Sequence, residues 1–219
     1  MKTVKRLIAL ILVLASLFCV FSLDAFADYG LYWSVSDGVL IISGKGAMPD
    51  YSADVAPWRA KDAKARNITT IYVDDGVTYV GSQCFQYCEK AGFAFMADSV
   101  TSIGEAAFYG CKDLVEVCLP NNLRELSVSL FDHCSSLEYV YIPSGVKTIR
   151  NAAFNCCTSL ETVCIPKSVT VIEDSAFNSC RNLTDVYYEG SWSDWDRIDI
   201  AGYNRCLTNA TIHFNCDSW

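Results

Sequence analysis

Phenylalanine stands at Phe85, Phe108, Phe131, Phe154 and Phe177, and three residues after each stands a cysteine, at Cys88, Cys111, Cys134, Cys157 and Cys180. The spacing is 23 residues throughout, with no insertion or deletion over five copies. A unit this short cannot bury an apolar face by itself, so it must stack on its neighbours and share one continuous core with them. The strict period therefore dictates a solenoid before any other feature is considered.

Aligned copies give each position a task. Val80, Ile103, Leu126, Ile149 and Ile172 fill one apolar slot, and Leu114, Leu137, Leu160 and Leu183 another, with Ala91 in the first copy. Alternating tails supply paired inward residues: Ile71 and Val73, Ala94 and Met96, Val117 and Leu119, Val140 and Ile142, Val163 and Ile165, Val186 and Tyr188. Side chains along a strand alternate between faces, so six parallel strands are expected. Pro120, Pro143 and Pro166 end their strands, where a missing amide hydrogen does no harm. A period of about 20–29 residues is that of leucine-rich-repeat solenoids. The expected fold is such a solenoid, mostly parallel sheet with short helical or irregular return segments, with the Phe and Cys side chains forming a buried spine.

The flanks read differently. Residues 31–43 carry two alternating apolar runs around Ser36-Asp37-Gly38, the pattern of a β-hairpin, and Pro57-Trp58 opens an alanine-rich stretch with helical character. Ser191 and Asp194 resemble a capping box that starts a short helix bearing Trp192 and Trp195. The resulting division is a leader at 1–27, an N-terminal cap at 28–69, repeats at 70–190 and a C-terminal cap at 191–219.

Lys2, Lys5 and Arg6 precede an apolar run from Leu7 to Leu23 that ends at Ala25-Phe26-Ala27, the layout of a secretory signal peptide. The run is also about as long as the shortest membrane span, so an uncleaved anchor is the competing reading. A lipoprotein reading through Cys19 is disfavoured by Phe18, where a small residue is needed. The leader takes three basic residues and one acidic residue, which leaves 14 basic against 24 acidic and a net charge of −10. Nucleic acid and membrane surfaces need clustered Lys and Arg, so neither is an expected partner. No second apolar span or sorting tail precedes Trp219, and a soluble exported product is expected.

Eleven cysteines remain after Cys19 departs, an odd number for an exported chain. The five periodic ones read either as disulfide partners or as small buried hydrophobes, and an identical position in every repeat favours the packing slot. Cys206 and Cys216 flank a short terminal segment and are the pair best placed for a disulfide. No catalytic set emerges: His133 adjoins Cys134, but neighbouring residues point to different faces. Cys84 and Cys88 have helical metal-ligand spacing, yet Cys88 belongs to the core slot and Cys84 replaces Ala107, Ala153 and Ala176. Asp194, Asp196 and Asp199 lack the spacing and glycine turn of a calcium loop. No metal and no cofactor is expected.

The copy AAFNCCTSLETVCIP resembles the BspA-like leucine-rich-repeat family of bacterial surface and secreted proteins. SDGVLIISGKGAMPDY resembles that family's opening hairpin, and YYEGSWSDWDRIDIAGYNRCLTNATIHF its closing segment. The resemblance implies a non-enzymatic recognition protein, active in adhesion or host contact. On a leucine-rich repeat the residues between the inward strand positions line an exposed concave sheet. One column is Tyr72, Phe95, Cys118, Tyr141, Cys164 and Tyr187; its companion is Thr70, Phe93, Glu116, Tyr139, Thr162 and Asp185. The strip expected to bind comprises Tyr72, Phe93, Phe95, Cys118, Tyr139, Tyr141, Cys164 and Tyr187. Exposed aromatic surface commonly marks an interaction site, and cross-strand stacking within the sheet is the competing explanation. The expected partner is an extracellular or host protein, with a glycan or no ligand as alternatives.

Overall fold

The computed structural model describes residues 24–26, 30–52, 56–59 and 67–216. Most of the expected leader, and the alanine-rich stretch at 60–66, lie outside the described residues. The turns stack through three ladders. The first is a parallel face: β3 (Val39–Gly44), β5 (Thr70–Val73), β7 (Phe93–Met96) and β9 (Glu116–Cys118), then β11 (Tyr139–Tyr141), β13 (Thr162–Ile165), β15 (Asp185–Tyr188) and β17 (Thr211–Phe214). Strands β1 (Asp24–Phe26) and β2 (Leu31–Ser36) continue its first edge antiparallel. β2 and β3 form the expected hairpin, turning at Asp37 (φ 49°) and Gly38 (φ 80°). Two consecutive left-handed residues are what a tight two-residue hairpin turn requires. Beyond the six expected strands, both flanks donate one more, β3 and β17.

The second ladder was not legible in the sequence. It joins β4 (Gly46–Ala47), β6 (Val77–Val80) and β8 (Ser102–Ile103), and separately β10 (Glu125–Leu126), β12 (Thr148–Ile149), β14 (Val171–Ile172) and β16 (Asp199–Ile200). Most of these strands have two residues, too few for alternation to register. The shared slot of Val80, Ile103, Leu126, Ile149 and Ile172 lies on them, and all five side chains are buried.

The third ladder runs through the return segments, which contain no helix. In each copy the Phe amide donates to the next turn, from Phe85 to Ala107 O, Phe108 to Leu130 O, Phe131 to Ala153 O and Phe154 to Ala176 O, at 2.8–3.0 Å. The residues two before and two after each Phe have positive φ: Gln83, Ala106, Ser129, Ala152 and Ser175 before, and Tyr87, Gly110, His133, Cys156 and Ser179 after. None is β-branched, as the crowding of a left-handed backbone demands. This ladder continues across the turns where both sheets are interrupted, with Ala106 N to Val128 O at 2.9 Å and Gly110 N to Asp132 O at 2.8 Å.

Inside, Phe85, Phe108, Phe131, Phe154 and Phe177 are fully buried, with successive ring centroids 5.1–5.5 Å apart. Each thiol of Cys111, Cys134, Cys157 and Cys180 donates to the carbonyl of the Phe in the preceding turn at 3.0–3.2 Å. Burial pushes the Cys134 and Cys157 thiols well above their usual range, so they stay protonated donors. The ends of the spine are completed by side chains. Trp58 stacks on Phe85 at 5.6 Å and its indole N–H donates to Cys84 O at 2.8 Å. Buried Asn204 accepts the Phe177 amide through Oδ1 at 2.9 Å and donates to Glu173 O at 2.9 Å.

After the repeats, α1 (Trp192–Trp195) begins with the expected capping box, Ser191 and Asp194 each bonding the other's backbone. A second short helix, α2 (Arg205–Thr208), follows. Hydrogen bonds from Ser191, and then Lys167 at 3.1 Å, hold the Asp194 carboxyl down at about 2.

Two outcomes check this packing. Phe131→Ala empties a central slot enclosed on both sides and should cost about 3–5 kcal/mol, whereas Lys147→Ala on the surface should leave the melting temperature almost unchanged. The Asp194 carboxyl titrates lower in the folded chain, so its contribution is present above 3.8 and lost as pH falls through about 2. Asp194→Asn should therefore flatten the acid limb of a melting-temperature profile over that range while leaving neutral-pH protein folded.

Candidate functional site on the outward face of the sheet

Alternation along the first ladder turns one set of side chains inward and the other to solvent. The strands at 70–73, 93–96, 162–165 and 185–188 share one burial pattern, with the second and fourth residues inside. β9 departs from it: it ends at Cys118, and Leu119 is only partly buried. Register places Ile41 beside Tyr72, Tyr72 beside Phe95, and Phe95 beside Cys118. Farther along, Tyr141 lies beside Cys164, Cys164 beside Tyr187, and Tyr187 beside His213. The companion column aligns Phe93 with Glu116, and Tyr139 with Thr162 and then Asp185.

The aromatic rings pair at the two ends of the strip. Tyr72 and Phe95 stack at 4.9 Å and 10°, and Tyr187 and His213 at 4.6 Å and 15°. Between them Tyr141 lies beside Cys164, and Tyr139 is 44% exposed. Burial, then a hydrogen bond to the Glu116 carboxylate, raises the Tyr139 phenol far above its usual value. Burial, then Asp74 and Asp75, raises the Tyr72 phenol. His213 Nε2 and Asp185 Oδ1 hydrogen-bond at 2.7 Å, which lowers the Asp185 carboxyl. The strip is thus aromatic and edged by carboxylates. His213 was missed because the last spacing is longer: Tyr187 to His213 is 26 residues rather than 23.

The cysteines divide by face. None of the eleven described cysteines is in a disulfide. Cys206 and Cys216, the pair best placed for a disulfide in the sequence, are not bonded to each other. Cys206 acts on the Cys180 thiol on the Phe side, whereas Cys216 acts on Cys164 on the sheet side. Cys84 and Cys88 are both buried. His133 has a left-handed backbone and a half-exposed side chain, while Cys134 is buried. Its neighbour across the turns is instead Cys156, 23 residues on, and these two lie with Asp132 in a group whose donor atoms are all within 4.8 Å. Adding the repeat length to His133 would have found this set. Elsewhere, a groove of about 510 Å³ on the second ladder is lined by Gly104, Ser127, Glu125 and Arg150. Its cation is already held by Glu125 at 2.8 Å and Glu173 at 2.9 Å.

A solenoid of stacked 23-residue turns with a parallel outer sheet places the chain among leucine-rich-repeat proteins. It belongs to the BspA-type leucine-rich-repeat family, whose "BspA type Leucine rich repeat region" matches residues 78–206 in six copies. Among solved structures, a leucine rich cell surface protein from Faecalibacterium prausnitzii A2-165 is 30% identical with a TM-score of 0.63. The match covers 81% of this chain and 42% of that one. A leucine-rich repeat protein from Eubacterium ventriosum is 29% identical with a TM-score of 0.64, covering 80% and 44%. The T. pallidum leucine rich repeat protein is 27% identical with a TM-score of 0.54, covering 72% and 68%. The chain thus spans less than half the length of the first two. No curated protein matches it. Among the described residues, no helix is long and apolar enough to cross a membrane.

Thiol accessibility checks the division between the two faces. Cys111, Cys134 and Cys157 should react with an alkylating reagent only after denaturation, and Cys156 and Cys118 in the native state. Cys164, whose thiol burial pushes up to about 11, should lag behind them. Mass spectrometry of native and unfolded samples reads this directly; native labelling of the first three would reject the buried-donor assignment.

Proposed function

We propose that the chain is an exported, non-enzymatic recognition protein that binds another protein through the outward aromatic face of its parallel sheet. The observation that carries this reading is the column from Tyr72 to His213, in which the rings of Tyr72, Phe95, Tyr141 and Tyr187 stay partly exposed on the outward face of the sheet. Contiguous exposed apolar surface is uncommon on a chain that needs it for nothing, and aromatic anchors dominate the energetics of protein interfaces. Carboxylates of Glu116 and Asp185 in the companion column suit a partner that brings basic side chains. Export is supported by the leader-like sequence of residues 1–27, and a cell-surface setting by the similarity to the leucine rich cell surface protein of Faecalibacterium. Adhesion or host contact is the role consistent with that setting.

A sugar would need open ring faces to stack upon. Tyr72 and Phe95 cover one another's inner faces, as do Tyr187 and His213, and so present edges. That geometry favours a protein over a glycan.

The test begins with a partner captured by the full chain and measures its affinity for variants. Tyr141→Ala and Tyr187→Ala should each weaken binding by roughly thirtyfold, corresponding to about 2 kcal/mol for an interface anchor. Lys112→Ala, in the turn that follows Cys111, should leave affinity unchanged. Loss of stability without loss of affinity in the tyrosine variants would reduce the strip to cross-strand packing. Binding on a glycan array abolished by the same changes would transfer the site to carbohydrate.

A further inference from the structure

The group formed by Asp132, His133 and Cys156 has no part in the aromatic face. It sits on the Phe side of the solenoid, where residue 133 of one turn faces residue 156 of the next. The third ladder fixes both backbones, with His133 N donating to Asn155 O at 2.9 Å and Cys156 N to Asn178 O at 2.9 Å. Left-handed φ values of 63° and 58° at His133 and Cys156 turn their side chains outward while Phe131 and Phe154 fill the interior. Asp132 is 7% exposed and is held from both directions. Asn155 Nδ2 donates to its Oδ1 at 2.9 Å, and His133 Nδ1 lies 2.6 Å from the same oxygen. Asn178 Nδ2 in turn donates to Asn155 Oδ1 at 3.0 Å, which orients the Asn155 carboxamide. No other pair of turns carries the set, because the equivalent positions are Gln86 and Tyr87, Tyr109 and Gly110, or Asn178 and Ser179.

From this arrangement we infer that Asp132, His133 and Cys156 form a binding site for one divalent transition-metal ion of the zinc type. The chemistry fits: a thiolate, an imidazole and a carboxylate are the three donor kinds that zinc accepts, and their mixture excludes calcium and magnesium, which take oxygen alone. Donor atoms around a tetrahedral ion at about 2.0–2.3 Å lie roughly 3.5 Å apart. The largest separations, up to 4.8 Å, therefore need to close by about one ångström and the 2.6 Å contact between His133 and Asp132 to open by about as much, both within reach of side-chain rotation about fixed backbones. A carboxylate has lone pairs to spare, so Asp132 can ligate while keeping the Asn155 bond. The Asn178–Asn155–Asp132 chain is the kind of outer support that orients a ligating carboxylate. Three protein ligands leave a fourth position open to water or to a side chain of a bound partner.

Cobalt(II) titration of the reduced full-length chain tests this, because thiolate ligation gives a charge-transfer absorption that oxygen and nitrogen ligands do not. The expected result is such a band saturating at one ion per chain and erased by added zinc. Cys156→Ser should abolish it, His133→Ala should weaken binding at least tenfold, and Asn155→Ala should weaken it by about tenfold as an outer-shell change. Cys118→Ser, on the opposite face, should leave the titration intact. Far-ultraviolet circular dichroism identifies variants that remain folded. Absence of the band in the reduced wild-type chain, or its persistence in folded Cys156→Ser, overturns the proposal and leaves Asp132 and His133 as a structural hydrogen-bonded pair.

Discussion

On the Phe side, the turns of Phe85, Phe108, Phe131 and Phe154 each depend on the next turn for part of their backbone hydrogen bonding. The Phe amide reaches forward to the following turn, while the cysteine thiol reaches back to the preceding Phe carbonyl. The pair of bonds runs in opposite senses and grips each ring between its neighbours. Everything else follows from that grip. It sets the spacing of the phenyl spine, holds one left-handed residue in place on either side of each Phe, and keeps turns in register where both sheets are interrupted. A buried thiol suits the task because it is small and apolar enough for the core yet still offers a hydrogen.

The period, the Phe and Cys slots and the inward strand residues apart from Leu119 were legible in the sequence, because a strict repeat writes the same packing requirement five times. What escaped was whatever the repeat does not write. The two-residue strands of the second ladder are too short to alternate. The left-handed positions carry Gln, Ala, Ser, Tyr, His and Cys rather than glycine, so the usual sign of positive φ is absent in all but one copy. Asn204 acts through its side chain in place of a backbone, which no periodicity can reveal. The outward strip was named residue by residue, but not its continuation to His213, since the final spacing breaks the period. The Asp132, His133 and Cys156 group was hidden for the opposite reason: it follows the period faithfully, and reading adjacent residues rather than adjacent turns conceals it.

The two faces of the solenoid therefore divide the chemistry. The sheet side offers rings and carboxylates, with the partly buried Cys118 and Cys164 set among them. The Phe side offers a polar column, Asp132, Asn155 and Asn178, bonded in series from turn to turn. The shared core separates these two surfaces of different chemistry.

Asn204 and Trp58 carry a consequence for how such a chain changes length. Each supplies, from a side chain, what a missing neighbour would otherwise supply: a carbonyl oxygen at one end, a ring and an N–H at the other. Neither senses how many turns lie between. The array is therefore quantised: a whole 23-residue turn can be added or deleted internally and the same two terminators still fit. An insertion of any other length must bulge out as a loop, because the spine accepts only complete units. The extent of the outward face can thus be altered in discrete steps by duplication, with no new solution needed at either end.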